Sequence, residues 1–543
     1  MNDAIKATID TSSLLTILGL VAAVWALIPS TSRLSFRLSV STFDWTLIIG
    51  VVALAHYLVF EETMRAFGIY YTFGPWKWGL DKNSAVYLLL ISLTAYLIYR
   101  SQAIKVQRRN IHVFERLFTS LINTKKYDEL APLLERHVTS VFALADHRTL
   151  RDRIAQKIRP TPLYYLPIAE LDAQVAKPSA YKHFQREILN HLASHLEVNG
   201  KPEITASEVV RKILTNQNLI AYLAVSYPYL CIEILKEPLA AREEFADLFI
   251  QALIEDESSI FYAELKNNHN LNGHHRLALP PENRLLNCFF SDVSVAAILG
   301  IYRPVGETVC RSIEFNISIG ASHNGPLGYY DEVGKYKCPI FCGIHFFQIM
   351  VHEGIHQGIQ DHLWLHYFTH FTDKILLRLR PLRGDDCNHE FPSPFHFLLY
   401  KIVSISTEWI DEARYVDLQT NNSTNEPRTL EERNYIPLEA SQAVGLIMHS
   451  IVGSEKLDDR FKVYMLEVVL GRIQRFQNSF AMDSLARAVE KSIIYGYDIL
   501  TTDASYKQDL YQLYQRIDHP IRGGMVHFTN ELNAALATSM QDR

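Results

Sequence analysis

EFNISIGAS, residues Glu314–Ser322, is the stretch on which the expected fold class turns. Phe315, Ile317 and Ile319 alternate with polar neighbours, the period-2 pattern of a half-buried strand. A turn rich in glycine and proline follows (Asn324, Gly325, Pro326, Gly328), then a helical run from about Gly343 to Arg378. Arg380–Pro394 reads as a loop, Phe395–Leu418 as a second helix, and Gln419–Pro437 as a polar loop. A strand ahead of two helices predicts a small α+β core over residues 281–420.

Outward from that core the pattern is helical. Upstream, Asn110–Ala145, Tyr181–Val198 and Ser207–Phe249 show helical periodicity. Leu219–Ile232 is very apolar and contains Pro228; Glu233, Lys236 and Glu237 close it early, so it reads as a buried helix rather than a fourth span or a re-entrant segment. Asn267–Arg276, NNHNLNGHHR, reads as a polar boundary loop, which makes 101–280 a helical region. Leu438 to about Ile517 is helical again, within a C-terminal region 421–543.

Residues 1–100 read as a membrane domain. Leu14–Pro29, Trp45–Phe60 and Ser84–Tyr99 are uncharged apolar runs of 16 residues, short but of spanning character. Trp45, Tyr57, Trp76, Trp78 and Tyr99 lie where an interfacial aromatic belt would. The first run lacks a basic n-region and a small-x-small cleavage site, so it reads as a retained span. His56, inside the second run, reads as a hydrogen-bonded packing residue.

Arg100, Lys105, Arg108 and Arg109 follow the third run, and Arg33 and Arg37 lie in the first connecting loop. The positive-inside rule therefore predicts a multi-pass protein of the inner or plasma membrane, with its larger region in the cytoplasm. Of the 543 residues, the first 110 carry ten basic and six acidic side chains, +4. A net charge of −6 for the whole chain leaves −10 for the remainder. A body so acidic argues against nucleic acid as a partner. Six cysteines are too few for a disulfide framework and suit a reducing compartment.

The chemistry-bearing motif is His352-Glu353-Gly354-Ile355-His356, HExxH, within the long helical run. Histidines four apart share one helical face and can chelate a single Zn²⁺. The intervening glutamate can reach a water on that ion and act as general base. Chance produces about 0.05 such matches in a chain of this composition, so the helical context carries weight. On the next helix, Glu412 falls inside the apolar face through Leu398, Ile402, Ile405, Trp409 and Val416, and Glu408 falls on its edge. A buried acid requires a partner, which an ion would supply.

HExxH on a helix, after a strand and before an acid-bearing helix, resembles the zincin metallopeptidases over roughly Glu314–Leu418. Gly354 departs from their pattern, which has a bulky apolar residue there; glycine costs about 1 kcal/mol in a helix interior and so marks the close approach of another backbone or of substrate. The gluzincin-like arrangement implies Glu408 as third zinc ligand and Glu412 as the acid orienting a ligating histidine, or the two exchanged. His362 has the spacing of the third metzincin histidine, but a helix continuing through WLHYFTHFTDK turns it away.

His345, His366 and His370 read as core or groove residues, and Cys338 and Cys342 as buried thiols. Tyr415, Tyr435 and His449 are open candidates for stabilising an oxyanion. The function this implies is a membrane-anchored zinc peptidase: Glu353 activates a zinc-bound water against protein or peptide substrates, membrane-associated ones included. The alternative is a non-catalytic, membrane-tethered helical sensor or scaffold.

Overall fold

The computed structural model describes residues 42–69, 82–102, 106–146, 201–238, 241–268, 275–381, 390–416, 435–476, 480–496 and 504–541. The first expected span, Leu14–Pro29, and the helix at Tyr181–Val198 lie outside them. The described residues are helical, with no strand. They fall into two compact units, Met1–Leu219 and Ile220–Arg543.

In the first unit, α1 (Thr42–Val59) and α2 (Lys82–Gln102) pair through Ala55 and Leu58 against Ala85 and Val86. The Tyr96 hydroxyl donates to buried Asp44 across the pair (2.6 Å). These are the second and third expected spans, and the expectation is corrected. No single helix among the described residues is long and apolar enough to cross a membrane. The apolar stretches run from Phe43 to Val59 and from Ala85 to Tyr99. At about 1.5 Å per residue they reach roughly 25 and 22 Å, short of a hydrocarbon core of about 30 Å. His56 is exposed beside Phe60 rather than packed inside. A second cluster joins α3 (Ile111–Asn123), α4 (Tyr127–Ala145) and α5 (Lys201–Thr215) through Phe114, Phe118, Leu134 and Val209.

Beyond it, α6 (Gln217–Ser226) and α7 (Pro228–Lys236) replace the single helix expected over Leu219–Ile232. Pro228 lacks the N–H to continue α6 but suits a first helical turn, and the axes bend by 115°. Taken as one, this pair meets the length and composition of a span, as does α11 with α12, bent by 68°.

The second unit continues with α8 (Arg242–Glu255), α9 (Ile260–Asn267), α10 (Arg284–Phe290), α11 (Val293–Leu299), α12 (Tyr302–Phe315) and α13 (Ile317–Ser322). The expected strand Glu314–Ser322 is therefore the junction of two helices, and the predicted α+β core is all-helical. Asn316 explains it: its side chain accepts the Ile319 N–H (3.1 Å), an N-cap that starts a new helix. Phe315 and Ile317 point to solvent and Ile319 inward, and no neighbouring strand among the described residues offers the ladder a strand requires.

The centre of this unit is α14 (Pro339–Gln357), whose residues from Ile340 to His356 are buried apart from Gln348. Helices α9 to α12 pack around it, joined by α16 (Pro394–Asp411) and α17 (Tyr435–Gly453). Gly343 permits the crossing with α12, since a Cβ there would overlap Val309. The helical run does not extend to Arg378. Gly358, at φ +66°, ends α14, and α15 (Tyr367–Arg378) starts after a turn. Further on, α18 (Asp459–Phe476) packs on α16, and α19 (Phe480–Tyr495) on α17.

Candidate metal centre

The site forms where α14 and α16 both end. Gly358 N–H donates to Ile355 O (3.1 Å) and Ile359 N–H to Gly354 O (3.0 Å), closing the last turn of α14. That turn carries His356, and His352 lies one turn before it on the same face, with the two ring centroids 4.6 Å apart. Glu412 caps the C-terminus of α16. Its Oε2 accepts from His356 Nε2 at 3.0 Å. One donor atom from each of His352, His356 and Glu412 lies within 4.8 Å of the others, and all three residues are buried.

The helix therefore aligns the two histidines as their spacing dictates, and the carboxylate that joins them is Glu412. Glu408 lies a turn back on α16, opposite Gln348. There it accepts from Gln348 Nε2 (3.2 Å) and Ser404 Oγ (3.2 Å), with Arg472 at 3.9 Å. From Gln348 to His356 is about 12 Å along α14, and it is Glu412, the residue that caps α16, that meets His356. His362 serves the turn instead: its Nδ1 accepts the Trp364 N–H (2.9 Å), and Asp361 takes the Leu363 N–H (2.7 Å). Leu363 and Trp364 both adopt left-handed backbone, φ +48° and +50°, which is uncommon for such side chains.

Burial pushes His352 below the usual imidazole range, opposed by the Glu412 and Glu353 carboxylates. It is thereby kept as neutral imidazole, the form that ligates. Two imidazole rings and one carboxylate are hard and borderline donors suited to zinc or a similar divalent ion. A cation placed among them balances a buried negative charge.

Glu353 is 1% exposed. Its Oε1 accepts the backbone N–H of Leu277 (2.6 Å). Its Oε2 accepts from Arg276 Nε (3.3 Å) and Gln357 Nε2 (3.1 Å). Gln357 is anchored in turn, donating to Phe290 O and accepting from Val293 N–H. His352 Nε2 donates to the His275 carbonyl (3.2 Å). Sequence reading left His275, Arg276 and Leu277 out of the site, because 76 or 77 residues separate them from the motif. Gln357, four residues after Glu353, was detectable from helical spacing alone.

Gly354 marks a close approach of side chains: a Cβ there would lie 2.6 Å from Leu363 Cδ1 and 3.0 Å from Ile436 Cδ1. His345 is buried, bonded to Gln348 and stacked on Phe341. His366 pairs with Glu439 (3.0 Å), and exposed His370 lies beside Tyr367. Tyr415 N–H donates to Glu412 O (3.0 Å), which holds that residue beside the ligand group, whereas His449 stacks on Tyr506. Against known proteins, no family model, no curated protein and no solved structure matches this chain.

Proposed function

We infer that this chain is a zinc-dependent hydrolase of peptide bonds, with His352, His356 and Glu412 as metal ligands and Glu353 as general base. The observation carrying the reading is the convergence of three buried donors from two helices, beside the glutamate of the same HExxH. The ion, when bound, supplies Lewis acidity that makes water reactive towards an amide near neutral pH. His352 and His356 contribute imidazole nitrogens, and Glu412 offsets one positive charge. Glu353 accepts a proton from the attacking water, and Gln357 fixes its carboxylate. Burial of the group excludes bulk solvent and strengthens each electrostatic contact.

The peptide substrate rests on the zincin-like motif. Metal analysis of purified protein is expected to find about one zinc per chain. Glu353→Gln is expected to keep the metal and abolish hydrolysis of a peptide library. A metal-free wild type, or equal hydrolysis by wild type and Glu353→Gln, sinks the reading.

One observation favours a second reading, a metal-stabilised scaffold without catalysis. Glu353 is held by Arg276 and the Leu277 amide as a structural carboxylate is held. Full zinc occupancy with no hydrolysis by wild type, Arg276→Ala or Leu277→Pro selects that reading.

A further inference from the structure

We propose that His275–Pro280 is an internal strap that occupies the metal centre and withdraws when the ion enters, so that the chain holds its own site closed. The inference rests on the assignment of His352, His356 and Glu412 as ligands.

The strap meets both chemical roles of the site at once. The His275 carbonyl accepts from His352 Nε2 (3.2 Å). On a helix, Nε2 is the ring nitrogen farthest from the backbone and the one two histidines four apart can turn to a shared ion. Here it bears a hydrogen and faces an oxygen. Two residues on, Leu277 N–H donates to Glu353 Oε1 (2.6 Å), and between them Arg276 Nε donates to Oε2 (3.3 Å). A carbonyl and an amide two residues apart, offered to a ligating imidazole and to the base, are the groups an extended polypeptide substrate would present. The strap thus stands where such a substrate would lie.

Its charge opposes the ion as well. The Arg276 guanidinium brings a positive charge against Glu353, next to the place a divalent cation would occupy. Arg276 is half-exposed, and its other bond is to Ser291 O (2.8 Å). The strap has no regular secondary structure. His275 and Arg276 are exposed and Leu277 is half-buried. Downstream it is anchored where Asn283 N–H donates to Pro280 O (3.0 Å). A segment tied to the site by few bonds and fixed at its far end can swing away without unpacking α14. Low local stability of this kind is read by amide exchange.

The test is hydrogen–deuterium exchange on the full chain, metal-free and then with Zn²⁺ alone, together with zinc titration of wild type, Arg276→Ala and Leu277→Pro. With zinc bound, peptides covering 275–280 are expected to exchange about tenfold faster, while those from α17 and α19 stay unchanged. Arg276→Ala is expected to bind zinc about tenfold more tightly. Leu277→Pro, which deletes the amide donated to Glu353, is expected to act in the same direction; unaltered far-UV circular dichroism verifies its fold. One zinc per chain with unchanged strap exchange, or equal affinity in wild type and Arg276→Ala, overturns the strap while leaving the metal centre standing. Absence of zinc binding in all three proteins overturns both.

Discussion

The two ends of α14 carry similar residues and meet opposite fates. At the N-terminal end are Cys338, Cys342 and His345, with His323 Nε2 packed 3.2 Å from Cys338 Sγ. At the C-terminal end are His352, Glu353 and His356. Every one of these side chains is buried. Burial pushes both thiols up and pushes His323 down to about 4, so the first end consists of neutral, packed groups. The second end holds two carboxylates, Glu353 on α14 and Glu412 from α16. Burial alone neutralises thiols and imidazoles at little cost, whereas a buried carboxylate requires a countercharge or a set of donors. The group of donors that could hold a cation is thus completed by the acid that a second helix contributes, not by the density of histidine and cysteine.

The comparison breaks most sharply at Glu412. Glu412→Ala is expected to weaken zinc binding about 10³-fold, roughly 4 kcal/mol. Glu408→Ala and Cys338→Ala should leave the titration as in wild type. Loss of zinc in Glu408→Ala but not in Glu412→Ala would exchange the two roles.

Acid probes the other end. In the unfolded chain, His323 gains a proton as pH falls through about 6.5, its ordinary value, but in the folded chain only near 4. The unfolded state then binds more protons across that window, so stability falls as pH drops from 6.5 to 4. The loss amounts to on the order of 3 kcal/mol at the acid limit. His396, also pushed down to about 4 by burial, adds to it. Urea midpoints measured at pH 7 and pH 5 check the direction, and His323→Asn should flatten the dependence.

Cys342 is fully buried, and its thiol makes only a long contact to Lys335 O (3.8 Å). Cys342→Ser is expected to cost about 2 kcal/mol of stability through a poorly satisfied buried hydroxyl. Zinc stoichiometry should stay the same, and a parallel loss of zinc would join the two ends into one site. The smallest effect is at Gly354. Gly354→Ala gains helix propensity but presses on Leu363 and Ile436, for a net loss of about 1 kcal/mol in denaturant unfolding.

Several features were legible in the residues themselves. The pairing of His352 with His356 is a property of 3.6 residues per turn. Gly354 announced a close approach of backbone or substrate, and the structure places the Leu363 and Ile436 side chains there instead. Glu412 was readable as an acid on an apolar face, though its rank above Glu408 was not, since that depends on where α16 comes level with α14. The strand expected at Glu314–Ser322 failed because three alternating apolar residues also suit a helix–helix junction capped by Asn316. The second and third spans failed because their apolar stretches are a few residues too short, and a hydropathy run does not show where a helix starts.

Local periodicity and capping chemistry therefore settle which residues share a helix face, because they act over one or two turns. Sequence alone determined that His352, Glu353 and His356 share a helix and that its two histidines face one way; where that helix ends came from the structure. Tertiary structure alone decided that Glu412 completes the group and that His275, Arg276 and Leu277, 76 or 77 residues upstream, lie across it. Those contacts are set by how separate helices end against one another in space, which the residues carry only through the packing of the whole unit.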